Sequence, residues 1–369
     1  MTLAPFKLER YFAQHEFSAP YLLSPSDIDP LTMPELLAMA SEDRRHQWDN
    51  LWLGYTESQG HPELLKAISD LYSDISPEQV IEVVPEEGIF ITMNTLVNEG
   101  DHIVVMYPGY QSLYEIAKNR GVSVSYWQPK GMWSFDTEDL QTLIQANTKM
   151  IVLNTPHNPT GAHFSQEAFQ NIVDIAREKD LWLFSDEMYR FSEYELEHRL
   201  PSACERYEKG IALCGMSKSF GLPGIRVGWL ATQSDVAMQD FISFKDYTTI
   251  CSSAPSEILA LIALEAKDKI LARNLSIIKE NLDCLEQFFE QYPEQFSWVR
   301  PVAGTITFAE YHGEESITDL AEKLVSEKGL MILPASVYDY EGNYFRLGFG
   351  RKNMPEALNL LGDYIQENR

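Results

Sequence analysis

Through the first two thirds of this 369-residue chain, short apolar runs alternate with stretches of helical periodicity. The candidate strands are Ile103–Met106, Val122–Trp127, Met150–Asn154, Leu181–Ser185, Ile211–Cys214 and Val227–Leu230. Runs such as IVLN and LWLF carry no polar alternation, the pattern of strands covered on both faces. Between them lie helical patterns such as Gln166–Glu178, where Phe169, Ile172, Val173 and Ala176 recur at helical spacing. Strand and helix in alternation require crossover connections. The expected fold class is therefore α/β, with a mostly parallel, helix-covered sheet.

The pattern changes after Pro255. Leu271, Leu275, Ile278, Leu282 and Leu285 form one apolar stripe and predict a long helix that Tyr292-Pro293 ends. Strand pieces at Thr305–Glu310, Leu330–Leu333 and Tyr344–Phe349, with helices between, predict a smaller α+β C-terminal domain. The expected division is a proline- and aspartate-rich N-terminal segment, 1–41, near the domain junction, a large ligand-binding domain, 42–268, and a small domain, 269–369.

Composition narrows the function. Fifty-five acidic residues against 29 basic ones leave a net charge of -26, which excludes nonspecific nucleic-acid binding. Such a surface mildly favours a cationic substrate, although solubility alone accounts for it. The four cysteines show no C-x-x-C spacing and read as reduced thiols of a cytoplasmic protein. The N-terminus MTLAPFKLERYFAQHEF has no apolar stretch suited to a signal peptide, and no run is long enough to span a bilayer, so no membrane partner is expected. Dinucleotide and P-loop glycine motifs are absent, as is any histidine pair at zinc-ligand spacing, so no metal is expected; His157 and His163 read as loop residues.

The chemistry concentrates in Gly215-Met-Ser-Lys218-Ser-Phe-Gly-Leu-Pro-Gly-Ile-Arg226-Val-Gly-Trp. A lysine follows a buried strand among small residues, and an arginine comes shortly after. Covalent capture of a carbonyl needs an amine that can lose its proton in a tightly constrained place. A phosphate-bearing cofactor needs an arginine fork nearby. Two more segments end strands, Asn154-Thr-Pro-His-Asn158-Pro-Thr-Gly161 and Ser185-Asp186-Glu-Met-Tyr189. Strand C-terminal ends are where open α/β sheets place ligands. Singly, Asn-Pro-Thr-Gly is an ordinary turn and a strand-final aspartate an ordinary helix cap.

Together and in this order, these motifs resemble class I/II aminotransferases of the fold-type I pyridoxal-phosphate family, from about Leu51 to the C-terminus. The resemblance implies pyridoxal 5'-phosphate as cofactor and an α-amino acid as substrate. Lys218 would hold the cofactor and shuttle the proton at Cα. Asp186 would pair with the ring nitrogen, Asn158 and Tyr189 with the ring's phenolic oxygen, and Tyr110 would stack on the ring. Arg226 would bind the phosphate. Tyr55, in Leu53-Gly-Tyr55-x4-Gly60, would reach the phosphate of a neighbouring subunit, which implies a homodimer with shared active sites. Arg346, in Phe345-Arg-Leu-Gly-Phe, would clamp the substrate carboxylate. Two departures concern the phosphate. The turn that usually offers a small hydroxyl reads Val84-Pro85-Glu86-Glu87-Gly88, whose backbone N–H groups can still cradle an anion although two glutamates crowd it. The usual Ser-x-Ser-Lys is Gly215-Met-Ser217-Lys218, with Ser217 left to compensate.

The family default is transamination to a 2-oxo acid. An alternative comes from Gly221–Trp229 and Lys245-Asp-Tyr-Thr-Thr, which are similar to the capreomycidine synthase-like branch, whose members cyclise a hydroxylated arginine. Glu9, Ser26, Asp27 and Asp29 lie where aminotransferases position substrate, and carboxylates there would suit a guanidinium. A third possibility, a ligand-sensing domain of a DNA-binding regulator, lacks any basic DNA-binding segment in this chain.

Overall fold

The computed structural model describes residues 3–368. Its centre is a seven-stranded sheet in the order Val80–Val83, Gly228–Thr232, Gly210–Gly215, Trp182–Asp186, Thr148–Asn154, His102–Met106, Ser123–Trp127. Neighbours run parallel except Gly228–Thr232, which is antiparallel to both its partners. The exception has a simple cause. Only residues 216–227 separate it from Gly210–Gly215, and that stretch holds the short 3-10 turn Pro223–Ile225 in place of a crossover helix.

The apolar strands are buried on both faces, as their composition requires. One face packs under helices that include Pro85–Leu96 and Ser112–Asn119, and the other under Gln166–Glu178 and Ala254–Glu265. A four-stranded antiparallel sheet forms separately in the order Leu333–Pro334, Tyr344–Gly348, Ile306–Tyr311, Phe296–Ser297, with its own core against the helices Lys267–Gln291 and Met354–Glu367. Among the described residues, no helix is long and apolar enough to cross a membrane.

Two expectations need correction, and one strand went unforeseen. The single long helix after Pro255 is two helices, Ala254–Glu265 and Lys267–Gln291, meeting at Ala266. The first is buried nearly all round against the large sheet, while the stripe of the second faces the small sheet. Two cores in different directions require the change of course. The strand Leu330–Leu333 is likewise two pieces. Leu330–Met331 pairs with Tyr21–Leu22, and Leu333–Pro334 pairs with Tyr344–Gly348. The strand Val80–Val83 was not expected, because Glu82 interrupts its apolar run. Glu82 is nonetheless buried, beside Glu257 and Lys245, and burial with the Glu257 carboxyl pushes its own carboxyl well up.

Candidate active site

All parallel strands end on one edge of the sheet, so residues that follow different strands meet there. Tyr110 follows His102–Met106, Asn158 follows Thr148–Asn154, Asp186 ends Trp182–Asp186, and Ser217 and Lys218 follow Gly210–Gly215. They line one cavity of about 430 Å3. Glu86 enters it from the first turn of Pro85–Leu96, Arg346 from the small sheet, and Glu9, Phe12, Glu16, Ser26 and Asp27 from the N-terminal segment.

The Lys218 amine donates to Ser26 Oγ at 2.8 Å. Burial holds its ammonium form below the usual lysine range, with Asp27 opposing. The Asp186 carboxylate is buried and accepts one backbone N–H, from Met188 at 3.2 Å. Burial pushes it up to about 7, outweighing that hydrogen bond, and Glu86 pushes the same way. Tyr189 Oη is buried with no hydrogen-bond partner, the Ser26 hydroxyl lying nearby. Arg226 adopts the left-handed backbone conformation, φ 56°, which costs a non-glycine residue about 1–2 kcal/mol. Its side chain lines the cavity and donates to Pro223 O at 3.1 Å.

Arg346 is 1 % exposed and held on several sides. Nε and Nη2 donate to Ser24 O at 3.2 and 2.7 Å, and Nη1 donates to Asn158 Oδ1 at 3.0 Å and to the Tyr338 hydroxyl at 2.8 Å. The Tyr338 hydroxyl itself donates to Asn158 Oδ1 at 3.1 Å. Asn154 fixes the loop from below, accepting from Asn158 N at 2.6 Å and donating to Asp186 O at 3.1 Å.

The opposite wall is acidic. Glu9 accepts from the Tyr110 hydroxyl at 3.1 Å, and Asp27 forms a bidentate pair with Arg351 at 3.1 and 2.8 Å. Burial, Asp27 and Glu9 raise the Glu16 carboxyl, with Arg351 and Lys218 opposing. Glu86 accepts from Ser112 Oγ at 3.3 Å, and burial pushes it up to about 6.

Of the residues singled out in the sequence, Tyr55, Glu87 and Asp29 stand outside the cavity, Asp29 beside Arg273. Tyr55 is 86 % exposed. The Glu87 carboxylate turns away to the Val84 N–H at 3.2 Å and to the Thr248 and Thr249 hydroxyls at 2.5 and 2.8 Å. Other lining residues escaped the sequence reading. Phe12 and Glu16 follow Glu9 by three and seven positions, so one helix face presents all three, and that periodicity was there to be read. Asn154 lines the cavity as well, and Tyr338, bonded to Arg346 behind it, carries no local signal.

These groups fit a phosphorylated pyridine aldehyde. A buried acid with little local support suits a protonated ring nitrogen, an unpartnered phenol suits a ring oxygen, and an amine poised to lose its proton suits the aldehyde. Arg226 and the first-turn N–H groups of Pro85–Leu96 suit the phosphate. Fold and site together define a pyridoxal-phosphate-dependent enzyme of fold type I. The chain belongs to the aminotransferase class I and II family, whose model matches residues 23–361. It is 34 % identical to a PLP-dependent aminotransferase from Streptococcus suis 89-1591 of known structure, with a TM-score of 0.93 over 100 % of this chain and 99 % of that one. It is similar to the capreomycidine synthase of Streptomyces vinaceus, at 25 % identity over 97 % of this chain and 93 % of the relative. An aspartate aminotransferase of Sulfurisphaera tokodaii is 28 % identical over 89 % of this chain and 86 % of its own length.

Proposed function

We propose that this protein transfers the amino group of an α-amino acid to a 2-oxo acid. The convergence of Lys218, Asp186, Asn158, Tyr189 and Arg346 on one cavity carries the reading. Pyridoxal phosphate, when bound, supplies an electron-accepting ring that stabilises charge left at the substrate Cα. Lys218 holds the cofactor, then takes the proton from Cα and returns it; an amine weakened by burial is suited to both tasks. Asp186 keeps the ring nitrogen protonated. Tyr189 and Asn158 bond the ring oxygen, and Tyr110 covers the ring. Arg226 and Ser217 hold the phosphate. Arg346, oriented by Tyr338 and Ser24, clamps the substrate carboxylate.

The working unit we propose is a cytoplasmic homodimer in which Tyr55 reaches the partner's phosphate. Exposed Trp52, Leu53, Tyr55 and Tyr247 support an interface, and four free cysteines support a reducing compartment. Separate hydrophobic cores support a cofactor domain at 42–268 and a small domain at 269–369, with the segment 1–41 near the junction; residues 1, 2 and 369 lie outside the described residues.

A second reading has its own support. Glu9, Glu16 and Asp27 face the cavity, and a guanidino side chain would find carboxylates there, as a cyclase of hydroxylated arginine requires. One incubation separates the two, with amino acids including hydroxyarginine in deuterated water. Turnover that begins only when a 2-oxo acid is added, with no deuterium at Cβ, establishes transamination. Multiple turnovers without any 2-oxo acid, with deuterium at Cβ, establish elimination and ring closure.

A further inference from the structure

The phosphate end of this site contains a carboxyl group that ordinary electrostatics argues against. The helix Pro85–Leu96 begins with a proline, which has no N–H, so the first N–H groups free for an anion belong to Glu86 and Glu87. Glu87 points its carboxylate out of the cavity, toward Thr248 and Thr249, but Glu86 points its own inward, beside Arg226 and Ser217. Ionised, Glu86 would place a second anion against the phosphate.

Its surroundings argue for a neutral acid. Among the described residues its carboxyl accepts a hydrogen bond from a neutral hydroxyl, Ser112 Oγ at 3.3 Å, and has no ion pair. Glu9 on the helix Lys7–His15 and Asp186 at its strand end add negative charge from the cavity, while the Tyr110 phenol favours the ionised form. Glu87 and Glu115 share the groove behind it. Arg226, which donates to Pro223 O, is the one cation that opposes the shift, and Lys218 donates to Ser26.

We propose that Glu86 binds the cofactor's phosphate as a carboxylic acid, donating its proton in a hydrogen bond where the family usually offers a small hydroxyl. The inference rests on the reading of this cup as the phosphate site. Burial, aided by Glu9, pushes Glu86 up to about 6 against the Ser112 and Tyr110 hydroxyls and Arg226, and a neighbouring phosphate dianion pushes further in the same direction. Above about pH 6 the free carboxyl is ionised and must take up a proton when phosphate binds. Affinity therefore falls as pH rises, by up to about tenfold per pH unit.

The test uses the full chain freed of cofactor and two probes that cannot condense with Lys218, pyridoxine 5'-phosphate and pyridoxine. Calorimetry in buffers of different ionisation enthalpy counts the protons taken up. At about pH 7.5 the wild type should take up close to one proton more than Glu86→Gln on binding the phosphate ester. Glu86→Gln keeps a donor without the charge, so it should bind the ester at least as tightly, with an affinity that lacks the fall of up to about tenfold per pH unit. Glu86→Ala should match the proton count of Glu86→Gln. Equal proton uptake and parallel pH curves in wild type and Glu86→Gln overturn the proposal alone. Equal affinity for pyridoxine and its phosphate overturns the phosphate cup and the proposal with it.

Discussion

The substitution Asp186→Asn tests the electrostatic logic of the site most directly. The Asp186 carboxyl is 6 % exposed and receives one backbone hydrogen bond. Burial moves it from an ordinary 3.8 to about 7. At 1.36 kcal/mol per pH unit, ionising it in the cofactor-free protein costs about 4 kcal/mol more than in water. A folded-state pKa raised above the unfolded value favours folding fully below about pH 4, and that contribution is lost as pH rises through 7. Asparagine has no such dependence. Urea unfolding of the cofactor-free chains should show the wild type losing up to about 4 kcal/mol against Asp186→Asn between about pH 4 and about pH 7.5. Glu86 titrates in both proteins and largely cancels. A protonated ring nitrogen beside Asp186 offsets the cost, so saturating cofactor should erase the wild type's deficit at the higher pH. With substrate, Asp186→Asn should retain cofactor yet slow deuterium exchange at Cα by roughly a thousandfold or more, because an unprotonated ring accepts electrons poorly. Parallel stability curves together with near-normal exchange would refute the argument.

Other outcomes follow from the same geometry. Lys218→Ala should abolish turnover, and borohydride fixation of the bound cofactor followed by peptide mapping should label Lys218; a label on any other lysine removes it from its role. Tyr338→Phe takes one donor and acceptor from Arg346 and Asn158, worth about 1 kcal/mol, so KM should rise roughly fivefold with kcat little changed. Arg346→Ala leaves a buried substrate carboxylate unpaired and should cost about 3–5 kcal/mol in kcat/KM; a change under about tenfold would move the carboxylate elsewhere. Sedimentation should find a dimer at assay concentration, and Tyr55→Phe should weaken cofactor binding without dissociating it. An active monomer contradicts the shared site.

Much of the site was legible because of one property of parallel sheets. Their strands all end on the same edge, so Asn158, Asp186 and Lys218, each placed just past a buried apolar run, had to meet whatever the details of packing. The motif order then supplied the cofactor. The covered strands were legible for a related reason, since burial on both faces leaves no room for polar alternation. Strand Val80–Val83 was hidden because its Glu82 is tolerated only through a cluster with Glu257 and Lys245, which lie far along the chain.

The chain's local pattern thus determined the α/β architecture, the lysine–aspartate–arginine framework and the place where they converge. Direction and distance along the third dimension were left to the folded structure. Tyr338 reaches Asn158 across 180 positions, and no local spacing encodes that contact. Glu86 and Glu87 are adjacent and identical, yet one lines the cavity and the other leaves it. A helix turns about 100° between neighbours, so only its seating on the sheet decides which carboxyl enters the cavity and which stays outside it.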